Sequence, residues 1–189
     1  MSYLIDIIGS TAIAAAIIFI VLEFNKNVND VTAEVLLSNI SNNEALTSAD
    51  VIEYDLYKIG YGVTNNAITR ADSNYLSFLS DFDNDGSVDS VSYLVGTTSQ
   101  RLNTANPYDK PLYRKVNNGS RTLLIPVVDC RFSYLDSIGT VLSYASLASQ
   151  AVRNRIKVVN VNLRTESAEP VNNVYQGIDW ARTIRPKNL

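Results

Sequence analysis

Residues 7 to 22 (IIGSTAIAAAIIFIVL) form an uncharged apolar run bracketed by Asp6 and Glu23. No proline occurs before Pro107 and no glycine between Ser10 and Ile59, so nothing in this stretch breaks a helix. Ala12, Ala14, Ala15, Ala16 and Leu22 favour helix, and the isoleucines are tolerated where a helix packs into lipid or against other helices. Beyond Glu23 the apolar positions thin out but stay spaced for one face: Val28, Val31, Val35, Leu36 and Ile40, then Leu46, Val51, Ile52 and Leu56. Gly60 and Gly62 punctuate the pattern. The spacing predicts one helix from residue 3 to about residue 58, roughly 80 Å long at ~1.5 Å per residue. That is far beyond an ordinary globular helix, so something outside the chain must bury its first half. Six asparagines between Asn25 and Asn43 are poor helix formers. Asn27-Val28-Asn29 and Asn42-Asn43-Glu44 are therefore expected to be its soft points.

From Val63 the pattern changes to short alternating runs and turn residues. Strands are expected at Ala67–Arg70, Tyr75–Leu79, Ser87–Gly96, Pro111–Val116, Arg121–Val128, Cys130–Asp136, Thr140–Tyr144, Ile156–Glu166 and Val174–Ile184. Asn117-Asn118-Gly119 and Asp136–Gly139 read as turns, and Leu147 to Arg153 as a short helix. The fold class is α+β. Residues 1–24 form an apolar filament-core or membrane helix and 25–62 the amphipathic half of the same helix. That half packs on an antiparallel β-sheet head domain of residues 63–189.

Composition narrows the function. The formal net charge is −3 with no basic run, which argues against a nucleic-acid partner. There is no histidine, so the commonest general base and metal ligand are missing. Neither a nucleophile elbow nor a phosphate loop occurs, and paired carboxylates such as Asp129 and Asp136 are ordinary in an acidic chain, so an enzyme is not expected. Cys130 is the single cysteine. It sits in a strand-like DCRFSYL and reads as a buried, inert thiol. Asn118-Gly119-Ser120 fits a glycosylation acceptor and equally a hairpin turn. The apolar run itself lacks the basic flank of a secretory signal. Extended back to Tyr3 it reaches the length of a membrane span only by enclosing Asp6. Asp6 is then either an intramembrane carboxylate with a function or a headgroup-level charge favoured by the helix dipole.

The strongest chemical motif is Asp81-Phe-Asp83-Asn-Asp85-Gly86-Ser87-Val88-Asp89. Carboxylates at positions 1, 3, 5 and 9 converge because the glycine at 6 permits a sharp turn, and the Ser87 carbonyl at 7 adds an oxygen. Hard oxygen donors without nitrogen or sulfur select Ca²⁺. Ser92 stands where an EF-hand has its bidentate Glu, so weak binding suited to extracellular calcium is expected.

Ser2-Tyr3-Leu4-Ile5-Asp6 followed by a Gly/Ala/Ile-rich helix resembles the mature N-terminus of type IV pilins and pseudopilins. With Ser2 as the first mature position, Asp6 falls on the family's acidic fifth residue, which is nearly always Glu. No leader with a Gly-Phe junction precedes it. The expectation is either a processed chain with Met1 first and the register displaced by one, or a subunit not processed in the usual way. LYRKVNNGSRTLLIPVVDCRFSYLDSIGTVL (112–142) is similar to PilW-like minor pilins and J-type pseudopilins, as are VIEYDLYKIGYGV (51–63), the strand at 155–167 and the end at 180–189. The resemblance implies a structural subunit of an extracellular filament, inserted in the inner membrane before assembly. Its partners would be copies of itself in a helical polymer, with other pilins and assembly machinery. It also implies an assembly site in which Asp6 pairs with the terminal ammonium of a neighbour, at Met1 or Ser2. An unpaired charge in such a bundle costs ~3–5 kcal/mol, so the pair sets axial register. Gly9 and the alanines permit close helix contact. The alternatives are a membrane-anchored calcium-dependent adhesin or binding module, and a minor pseudopilin of a secretion system.

Overall fold

The computed structural model describes residues 2–100, 102 and 104–189. Helix α1 (Ser2–Tyr57) runs 56 residues without a break, about 84 Å at ~1.5 Å per residue. The expected soft points at Asn27–Asn29 and Asn42–Glu44 are helical throughout. Asparagine's propensity cost is a few tenths of a kcal/mol per residue, too little to open a helix whose far end is held by packing. Among the described residues eight strands follow: β1 (Ile68–Ala71), β2 (Tyr75–Ser80), β3 (Asp89–Val95), β4 (Lys110–Val116), β5 (Thr122–Val127), β6 (Asp129–Leu135), β7 (Val158–Glu166) and β8 (Gly177–Ile184). A 3₁₀ turn at Ser146–Ala148 and a one-turn helix α2 (Gln150–Arg153) stand before β7.

The head holds two antiparallel sheets where one was expected. One is β1-β2-β3-β4-β5 and the other β6-β7-β8. The chain switches sheets at Val128, between β5 and β6. Phe132 donates its N–H to Ser73 O, and the Tyr134 hydroxyl donates to Asp72 O, so β6 is tied to the β1–β2 turn. Thr140–Tyr144, expected as a strand, makes only a single bridge, Leu135 with Val141. The backbone N–H groups of Ile138 and Thr140 turn in to the Asp136 carboxylate instead, which closes a loop rather than a ladder.

Both sheets and the back half of α1 share one core, with Phe78, Tyr93, Phe132 and Tyr134 fully buried among aliphatics. The helix docks through a stripe of Ser41, Ala45, Ser48, Ala49, Ile52 and Leu56, and Ile59 in the turn that follows is buried as well. Small residues at its upper end let β5, β7 and β8 come close. The apolar positions Val28, Val31, Val35, Leu36, Ile40 and Leu46, expected on the docked face, are exposed. Val28, Val31, Val35 and Leu36 precede the docked segment, and Ile40 and Leu46 face outward beside it.

Candidate metal centre

The Asp81–Asp89 segment closes the β2–β3 hairpin, with Ser80 paired to Asp89 at its base. Asn84 and Gly86 take positive φ, 62° and 87°, conformations that asparagine and glycine adopt at little cost. The chain thereby folds back so that Asp81, Asp83 and Asp89 each bring a carboxylate oxygen within 4.8 Å of the others. Oxygens on opposite sides of a Ca²⁺ ion bound at ~2.4 Å are separated by about that distance. Asp85 is not in this group. Its Oδ1 accepts the Ser87 N–H at 2.7 Å, so Asp85 and Ser87 brace the turn.

The oxygens are unevenly satisfied. Asp81 Oδ2 accepts the Gly86 N–H at 3.2 Å, while Asp89 accepts Phe82 N–H at 3.1 Å and Asn117 Nδ2–H at 2.6 Å. Asp81 Oδ1 is buried with no hydrogen-bond partner, in a residue only 8% exposed. A buried carboxylate oxygen without a donor is costly, and a hard cation bound by that carboxylate would offset the cost. The donor set therefore fits a divalent ion of the Ca²⁺ kind. Asp81, Asp83 and Asp89 would hold it, and it would supply charge neutralisation and rigidity.

The loop is keyed to the end of α1. Asp81 donates its N–H to Tyr61 O at 2.7 Å. At Gly62 (φ +72°) an added Cβ would fall 2.9 Å from Asp81 Cβ, which leaves room for no other residue. Phe82 packs edge-on against Tyr54 at 5.8 Å, and its carbonyl accepts Lys58 Nζ at 2.7 Å. The Arg114 guanidinium lies 5.0 Å from the Phe82 ring centre.

Next to that ring lies a buried network that the sequence reading did not name. Asp55, on α1 and fully buried, accepts Arg114 Nε at 2.6 Å, Arg114 Nη2 at 3.1 Å and the Tyr93 hydroxyl at 2.5 Å. Burial, then the Asp55 carboxylate, push ionisation of Tyr93 well above its ordinary value, so the phenol remains a donor. The signal available in the sequence was a carboxylate set between Ile52, Leu56 and Ile59 on the docking stripe.

At the other end, Asp6 and Gly9 lie on the exposed apolar half of α1. A Cβ at Gly9 would meet nothing within 4 Å. Met1 and the side chain of Ser2, the other expected assembly groups, lie outside the described residues. The hydroxyls of Ser10 and Thr11 donate to Ile7 O at 2.9 Å, which satisfies them within the helix. No family model, curated protein or solved structure matches this chain.

Proposed function

We propose that this chain is a structural subunit of an extracellular type IV pilus-like filament, polymerising through its N-terminal helix. One observation carries the reading. The first half of α1 is apolar, long enough to cross a bilayer and wholly unburied, yet continuous with a half that is fixed to the head. Exposed Tyr3, Ile8, Ile13, Phe19, Leu22 and Phe24 surround the helix on several sides. A single docking partner covers one stripe of a helix, whereas lipid or a bundle of like helices covers all of it. The bilayer holds the subunit before assembly, and neighbouring copies replace the lipid afterwards. The rigid join through Asp55, Lys58 and the metal loop suits a part that transmits load from core to surface.

Asp6 divides this reading from that of a simple membrane-anchored calcium-dependent binding module, which the spanning length of the helix would also serve. In a filament core Asp6 pairs with a neighbour's terminal ammonium and sets register. Asp6→Asn is therefore expected to abolish or misregister filaments while leaving membrane insertion intact. Normal filaments from Asp6→Asn would refute the pairing, and a chain found only in membranes, wild type included, would favour the anchor.

A further inference from the structure

The face of the five-stranded sheet turned away from α1 carries a groove of about 610 Å³, within the ~300–1,000 Å³ range of small-ligand sites. Strand register builds it in rows. Tyr75 stands opposite Leu94, and Leu94 opposite Tyr113, giving an apolar row with a ring at each end. The next row is Ser77, Ser92 and Lys115, and Ser90 lies beyond it on β3. Short serines beside tall neighbours make the depression. Three strands span roughly 10 Å and successive rows are ~7 Å apart, so the surface pairs an apolar shelf with a hydroxyl floor at the scale of sugar rings.

The charges around the floor are selective. Lys115 and Arg121 line the groove and neither is in an ion pair among the described residues. Asp89 is the one carboxylate in the lining, and its oxygens already accept Phe82 N–H and Asn117 Nδ2–H. We propose that this groove binds an acidic saccharide of the uronic-acid type. The C–H face of a pyranose packs on the shelf. Because Arg70 covers one face of the Tyr75 ring at 4.4 Å, Leu94 and Tyr113 form the main stacking surface. Sugar hydroxyls exchange hydrogen bonds with Ser90 and Ser92, which both donate and accept. The sugar carboxylate meets Lys115 and Arg121 in charge-assisted contacts. A site for phosphate or sulfate alone would need neither the shelf nor the hydroxyl floor.

The test is isothermal titration of the full-length chain in detergent micelles with tetragalacturonate, with maltotetraose and sodium sulfate as comparison probes at matched ionic strength. Saturable one-site binding of tetragalacturonate is expected, with both comparison probes at least ~10-fold weaker. Lys115→Ala with Arg121→Ala should weaken tetragalacturonate at least ~10-fold, and Ser92→Leu, which fills the floor, should remove binding. Melting temperatures of the variants should stay near wild type. Absence of saturable binding, equal binding of maltotetraose or sulfate, or indifference to the Lys115/Arg121 changes would each overturn the proposal. Filament assembly does not enter this readout, so the two ideas fail separately.

Discussion

Asp55 shows how one residue fixes the join between helix and head. Its carboxylate is fully buried and takes three donors from β3 and β4. Removing one partner of a buried pair leaves the other uncompensated, at a cost of ~3–5 kcal/mol. Asp55→Ala should therefore lower unfolding stability by that order in chemical denaturation. A double change of Asp55 and Arg114 to apolar residues should recover part of the loss. If Asp55→Ala costs under ~1 kcal/mol, the network contributes little. A carboxylate on the docking stripe was visible in the sequence, but its partners lie 38 and 59 positions away, and only tertiary register brings them in. The neutral buried acids set a pH limit. Burial, then Asp129, pushes the Cys130 thiol from its ordinary 9.0 up to about 12, and burial raises Tyr93 and Tyr134 as well. Each keeps its proton in the folded chain beyond the point where the unfolded chain loses it. The contribution of these groups to stability is thus fully present below about pH 9 and is lost as the pH climbs toward 12. Melting curves between about pH 8 and about pH 10.5 should show that decline, shallower in Cys130→Ala. A flat profile would contradict the burial assigned to these groups.

Among the elements, the long helix and the turn at Asp81–Asp89 were the most legible and the sheet pairing the least. The helix was readable because an uninterrupted apolar run followed by one-faced spacing admits few other structures. The loop was readable because alternating aspartates and a glycine are a local pattern that needs no distant partner. Its inner grouping was not: Asp85 sits in the same spacing, yet the converging carboxylates are those of Asp81, Asp83 and Asp89, while Asp85 Oδ1 accepts the Ser87 N–H. The docked stripe was readable in part, for Ile52 and Leu56 are buried in it as their spacing suggested. Val31, Val35 and Leu36 looked like core by hydrophobicity, whereas Ala45, Ser48 and Ala49 are buried by size. Division of the strands into two sheets depends on the crossing at Val128, and Pro126, the nearest breaker, lies inside β5 rather than at the crossing. The loop supports a direct prediction. Added Ca²⁺ should raise the melting temperature and a chelator lower it, because an ion bound only by the folded chain stabilises it by mass action. Asp81→Asn should remove that dependence. A wild-type melting temperature indifferent to both additions would sink the calcium reading.

At the scale of the molecule, one unbroken helix carries both an apolar, unburied half and the half that docks on the β head. The β head buries its own core, while the apolar half-helix, unburied along its length, is long and apolar enough to cross a membrane. The head's groove lies on the face away from the helix, which a polymer built around a helical core would turn outward. Electron microscopy of filaments sheared from the native source, with this chain identified by mass spectrometry of its N-terminus, tests the central claim most directly. The account predicts regular filaments containing this chain, with α1 packed in the core, and a mass that establishes whether Met1 or Ser2 comes first. Recovery of the chain solely as unassembled membrane protein, with none in any filament, would contradict it.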